Sequence, residues 1–220
     1  PLAAVAFALF APVLAGLCAV PFALVALATS PALRQLAAEG DLSGLEAALT
    51  GASGAGLALT LLLSFAPLFL LIWLWLRLLE RRGLASAGLE RAGALRKYGR
   101  GLLAGLALFG GAVGLAALFG GMSPEAGGIT GLAALGSVLL VLPGWIVQGA
   151  AEEALTRGFL LPILGARWKA AAGILISSLA FMSLHLFNPN LSGIALLNLF
   201  LFGAFAALYA LREGGLWGIC

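Results

Sequence analysis

The chain alternates between long apolar runs and short polar connections. Apolar positions fill Leu2 to Thr29, about Gly56 to Leu79, Gly101 to Gly121, Leu132 to Leu164, Ala170 to Phe187 and Leu191 to Leu211. Each is near or above the ~20 residues an α-helix needs to cross a hydrocarbon core of ~30 Å. Leu216-Trp217-Gly218-Ile219-Cys220 reads as the first turn of a further helix. The pattern predicts an all-α fold: a polytopic transmembrane helical bundle of six full spans plus the start of a seventh. One bundle means one transmembrane domain over residues 1–220.

Local signals refine this outline. Pro12 and Pro21 interrupt the first run, and Ala26-Leu27-Ala28 resembles a signal-peptidase site. The run is too long for a signal sequence and lacks a basic leader, so it reads as a true span. Ser30-Pro31 places proline at a first helical position, and Ser43 with Glu46 forms a capping-box pattern. Residues 31–50 therefore read as short helices on the membrane surface. Trp73 and Trp75 read as an interfacial belt. Gly101-x-x-x-Gly105, with Gly110, Gly111 and Gly114 beyond it, has the small-residue spacing of close helix packing. Pro143-Gly144 predicts a kink in the fourth run, and Asn188-Pro189-Asn190 a turn.

Composition agrees with the pattern. Of 220 residues, 62% are hydrophobic and 10% charged, with mean hydropathy +1.11. A soluble domain does not have that balance. Net charge is +3, and seven of the twelve Lys and Arg residues lie between Arg77 and Arg100. A basic cluster between two spans follows the positive-inside rule and does not call for nucleic acid. Basic connections at 77–100, 165–169 and 212 alternate with base-poor ones at 31–50, 122–131 and 188–190. That order predicts a cytoplasmic N-terminus and, with the Ala/Gly/Leu-rich composition, a bacterial inner membrane. An alkaline-phosphatase fusion at Ala48 should be active and one at Gly93 inactive; the reverse overturns the orientation. Cys18 and Cys220 lie in or beside apolar segments and imply no disulfide framework. A chain that opens with Pro1 and stops at Cys220 reads as processed or trimmed.

The chemistry is concentrated in Glu152-Glu153-Ala154-Leu155-Thr156-Arg157. Each ionisable side chain at bilayer depth costs ~2.5–3.5 kcal/mol, so three within one turn and a half need partners or a use. Glu153 and Arg157 stand at i, i+4 with the acid first, the favourable helical order. Glu152, turned ~100° away, has no local partner in this reading and is a candidate general base. The one histidine, His185, joins it by hairpin geometry. If the fourth and fifth spans turn near Arg167, Glu152 lies fifteen residues before the turn and His185 eighteen after it. Their heights then differ by ~4–5 Å. Asn198 reaches the same layer across the turn near Asn190. A carboxylate and an imidazole around confined water make a general-base site for hydrolysis; with one more ligand they could make a metal site.

Glu152-Glu153-x-x-x-Arg157 followed by Phe181-x-x-x-His185 resembles the first two signature motifs of the CaaX-protease and bacteriocin-processing family of intramembrane proteases. The archetype of that family is the Ras-converting CaaX endoprotease. The flanking Arg157-Gly158-Phe159-Leu160 and the stretch from Asn198 to Gly203 leading to Gly215-Leu216-Trp217 fit as well. The resemblance covers about 95–220, a protease-like core; the first two spans read as generic. It implies that Glu152 activates the attacking water and that His185 orients the water or binds a metal. Glu153 and Arg157 would hold the helix and its charge balance, with Phe181 and Asn198 in support. The family's last motif, HxxxN or HxxxD, would fall beyond Cys220, so this chain is expected to lack it. Metalloprotease-like chemistry, with Glu152 and His185 as ligands, would need zinc and that further histidine. The 220-residue chain is therefore expected to hold no stoichiometric zinc. The implied function is an intramembrane endopeptidase with membrane lipid and a membrane-associated peptide as partners, and prenylated tails the weaker choice of substrate. Two alternatives use the same residues. One is a non-catalytic membrane scaffold or peptide-binding relative, because the superfamily also resembles the Aph subunit of gamma-secretase. The other is a proton-coupled transporter, against which stands the absence of an inverted repeat of broken helices.

Overall fold

The computed structural model describes residues 1–41, 44, 45, 48, 49, 54–122, 130–186, 188 and 191–220. All regular structure among them is helical. The first run forms α1 (Leu2–Gly16), a 3₁₀ turn (Leu17–Ala19) and α2 (Val20–Thr29), with Pro12 inside α1 and Pro21 in the first turn of α2. Then follow α3 (Pro31–Glu39), α4 (Gly54–Leu78), a 3₁₀ turn (Leu84–Ala87), α5 (Ala94–Leu118) and α6 (Gly131–Glu153). A π-helical segment (Ala154–Leu160) joins α6 to α7 (Leu161–Leu184), and α8 (Gly193–Glu213) closes the order.

Five helical stretches are long and apolar enough to cross a membrane. The longest, Gly131–Leu184, has 54 residues, more than twice the ~20 that one crossing needs. It reverses at Trp168 and Lys169, whose backbone leaves the helix, with φ +75° at Lys169. Gly173 on the returning arm lies so close to Gly165 and Leu161 that a Cβ there would stand 3.0 Å from Gly165 N and Leu161 O. The two arms thus form an antiparallel hairpin. The result is a polytopic all-α bundle, followed by one hydrogen-bonded turn in which Cys220 N–H donates to Leu216 O (2.9 Å).

Several local expectations meet the structure. Ser30 caps α3 by accepting from Leu33 N–H at 3.4 Å, with Pro31 in the first helical turn. The Ser43–Glu46 capping box and Pro189-Asn190 lie outside the described residues. α6 runs through Pro143 as one α-helix; the irregularity comes later, as the π segment at the charged motif. α5 begins at Ala94, so Arg96, Lys97 and Arg100 ride on its first turns. Charged residues that a membrane keeps at its surface are nevertheless good helix formers.

Two readings need correction. Trp73 and Trp75 do not face the same surroundings: Trp73 is exposed, whereas Trp75 turns inward against Phe7 and Phe159, with ring centroids 4.8 and 5.4 Å away. Positions two apart on a helix point ~200° from one another. The glycine stripe of α5 packs on no helix among the described residues, since Gly105, Gly110, Gly111 and Gly114 face open space. Only its first member, Gly101, is closely approached, by the Gly218 backbone. α5 is tied in at that end, where Arg100 pairs with Glu213 at 2.6 Å.

The core sits where α1, α4, the π segment and α7 meet. α1 contributes a stripe of buried alanines, Ala4, Ala8, Ala11 and Ala15, at the i, i+4, i+7 spacing of one helical face. α4 packs most extensively on α6. The first two spans are therefore not generic supports: Phe7 of α1 and Trp75 of α4 clasp Phe159 of the π segment edge-on. Such aromatic pairs add ~0.5–1.5 kcal/mol each beyond their buried area.

Candidate active site

The charged motif spans the junction of α6 and the π segment. There the hydrogen-bond ladder widens by one residue: Leu161 N–H reaches Thr156 O, five positions back. Single π turns of this kind collect at functional sites. From Ala151 to Leu161 every residue is buried except Glu152, which is half-buried.

The inner face of the turn holds a buried polar layer, in which Glu153 Oε2 and Arg157 Nε make no hydrogen bond among the described residues. Arg157 is 3% exposed and Glu153 4%, and Arg157 Nη1 donates to Glu153 Oε1 at 3.0 Å. The same nitrogen donates to Thr156 Oγ1 at 2.6 Å, and Nη2 donates to the Gly203 carbonyl of α8 at 3.0 Å. The Arg157 guanidinium lies 4.5 Å from the centroid of the Phe181 ring, a favourable stack for a desolvated cation. Thr156 Oγ1 in turn donates to the Glu152 backbone carbonyl at 2.6 Å. Arg157 is thereby joined to α7, to α8 and, through Thr156, to the backbone of Glu152. Gly203 permits this approach, because a Cβ there would stand 3.1 Å from Ser178 Cα and 3.3 Å from Arg157 Nη2.

The outer face is a cavity of about 450 Å³. Its polar lining comes from Gln148, Glu152, Ser183, His185 and Asn188, and its apolar wall from α1 and α4, chiefly Leu9, Val13 and Phe65. Glu152 and His185 thus share one cavity, carried to the same level by the hairpin. Gln148 Nε2 donates to Glu152 Oε1 at 3.1 Å. This corrects the reading of Glu152 as lacking a local partner: a glutamine four positions earlier on the same helix face was there to be seen. His185 caps the end of α7, with Nδ1 2.8 Å from Phe181 O. A carbonyl oxygen only accepts, so Nδ1 donates to it, and in the neutral ring this leaves Nε2 as the acceptor. The Phe181 ring stands 4.7 Å from the His185 ring. Phe181 therefore explains the spacing of its motif: its ring meets Arg157 while its carbonyl orients the histidine one turn on.

Asn198 does not join them. It is exposed on α8 and is not among the cavity's lining residues. Gly203, which touches the polar layer, lies five residues on, so the two point ~140° apart. Asn188, read from sequence only as a turn residue, lines the cavity. No three of the described His, Cys, Asp and Glu side chains gather as a metal-binding set. With Glu153 engaged by Arg157, Glu152 and His185 are one short of the three protein ligands usual for a catalytic zinc.

Fold and site together define an integral membrane protein whose helical bundle buries an ion pair beneath a carboxylate–histidine cavity. Residues 134–220 match the family model described as Rce1-like, type II CAAX prenyl endopeptidase. The resemblance drawn from the two motifs is thereby shown for that part of the chain, and the family is one of proteases. No curated protein and no solved structure gives a significant match. Every polar residue of the cavity falls within the matched segment, whereas Leu9, Val13 and Phe65 precede it.

Proposed function

We propose that the chain is an intramembrane endopeptidase that hydrolyses a membrane-anchored peptide through glutamate-activated water. The observation that carries this reading is the separation of the two adjacent carboxylates. Glu153 is spent on Arg157, and Glu152 opens with His185 onto a cavity whose other wall is apolar. A water held between Glu152 and His185 Nε2 gives a proton to the carboxylate as its oxygen attacks the scissile carbonyl. Glu152 then returns that proton to the leaving amine as the C–N bond breaks, so one water is consumed and the carboxylate is restored. His185, held by Phe181, orients the water by accepting its second hydrogen.

The apolar wall suits a substrate that arrives through the bilayer. The family description names prenylated CAAX tails, and a farnesylated tail is one such peptide among the bacteriocin-like and other membrane peptides to be compared. The test incubates the purified chain in lipid with a library of membrane-anchored peptides, farnesylated CAAX peptides included, and reads the products by mass spectrometry. Cleavage near the anchored segment, lost in Glu152→Gln, is the expected result. Full activity in Glu152→Gln, or cleavage confined to soluble loops, overturns the reading.

A further inference from the structure

The cavity contains a polar contact to the Glu152 carboxylate that the two signature motifs do not include. Gln148 lies one turn before Glu152 on α6, lines the same cavity, and donates its amide to Glu152 Oε1 at 3.1 Å. From these contacts we infer that Gln148 is the positioning residue for Glu152, holding the carboxylate in the one orientation in which its second oxygen serves the cavity.

Three features support this. First, Glu152 is held from two sides by different means. Thr156 Oγ1 secures its backbone carbonyl at 2.6 Å, which places the Cα but leaves the side-chain rotamers open. Gln148 is the one residue with a described hydrogen bond to the carboxylate itself. Second, the donor is neutral. A guanidinium or ammonium there would pair with Glu152 as Arg157 pairs with Glu153 and would weaken it as a base. An amide fixes the geometry without cancelling the charge. Third, a neutral amide inside a membrane span has a cost of its own, and pairing with Glu152 removes part of it. Positioning matters because a general base must be within hydrogen-bond reach of the proton it takes, and small misplacements lower the rate steeply.

The inference rests on the endopeptidase reading for its catalytic meaning, and the experiment separates the two. Gln148→Met keeps the length of the side chain and removes the amide, in a helix where an apolar residue is well tolerated. Steady-state cleavage of the best library peptide should show kcat lower by about 10- to 100-fold, the loss of one hydrogen bond to a charged group, with KM within about twofold. In parallel, infrared spectra of the full chain in lipid are taken for wild type, Gln148→Met, Glu152→Gln and the double variant. Subtracting the Glu152→Gln spectrum isolates the Glu152 carboxyl bands. Those bands should move in Gln148→Met, and Gln148→Met should add no change where Glu152 is already Gln. Unmoved bands overturn the proposal, as does wild-type kcat in Gln148→Met. If the full-length wild-type protein cleaves nothing, the endopeptidase reading falls, and the infrared bands alone decide whether Gln148 orients Glu152.

Discussion

Glu152 and Glu153 are neighbours in the chain and opposites in the fold. Glu153 sits in a layer packed on every side, 4% exposed, where Arg157, Thr156, Phe181 and the Gly203 carbonyl meet. Glu152 looks into a cavity with an amide, an imidazole and an apolar far wall. The inner layer holds a buried ion pair, and the outer one leaves its carboxylate open to a cavity. A buried ion pair is costly to assemble and far costlier to break, because a lone charge left in the interior has nothing to offset its desolvation. A carboxylate left incompletely paired at a cavity keeps a lone pair for a substrate or a water. Both ends lie within one helical turn, where Arg157 pairs with Glu153 and Thr156 secures the peptide group of Glu152.

The comparison breaks most visibly if the inner carboxylate is changed. Glu153→Gln strands Arg157 in the core and should cost about 3–5 kcal/mol, read as a large loss of thermal stability in detergent. Glu152→Gln should leave the melting transition within a few degrees of wild type. Equal melting of the two variants would mean that the layers are not distinct.

Next in size comes the aromatic clasp. Phe159→Ala removes a fully buried ring held by Phe7 and Trp75 and should cost about 3–5 kcal/mol at most. It should also loosen α1 from the core, which faster proteolysis in the α1–α4 connection would report. An unchanged melting curve would return the first spans to generic supports.

Thr156→Val keeps the shape and removes the hydroxyl that links Arg157 to the Glu152 carbonyl. The expected loss is about 1–3 kcal/mol, smaller than for Glu153→Gln because the ion pair itself survives. The variant also sharpens the division of labour, because it disturbs the Glu152 backbone without touching its carboxylate.

The smallest effect belongs to Asn198. Exposed on α8 and away from the cavity, its replacement in Asn198→Ala should stay within about ±0.5 kcal/mol and leave peptide cleavage at the wild-type rate. A drop in activity comparable to that of Glu152→Gln would place Asn198 back at the site.

These outcomes turn on two kinds of information. The polytopic all-helical architecture and the turn near Arg167 were legible in the sequence, because burial in hydrocarbon demands long apolar runs with internally satisfied backbones. The Glu153–Arg157 pair was legible for a similar reason, since neighbours at i, i+4 meet without help from the rest of the chain. Hairpin arithmetic also placed Glu152 and His185 at one level. It could not decide which way a helix is rotated, and that is where Asn198 and the tryptophans went astray: position along an axis follows from counting, but facing follows from packing. Asn188 at the cavity, the clasp of Phe7, Trp75 and Phe159, the idle glycine stripe of α5 and the π turn itself were decided only by tertiary structure. Each depends on contacts between segments far apart in the chain, and such contacts leave no periodic trace in the order of residues.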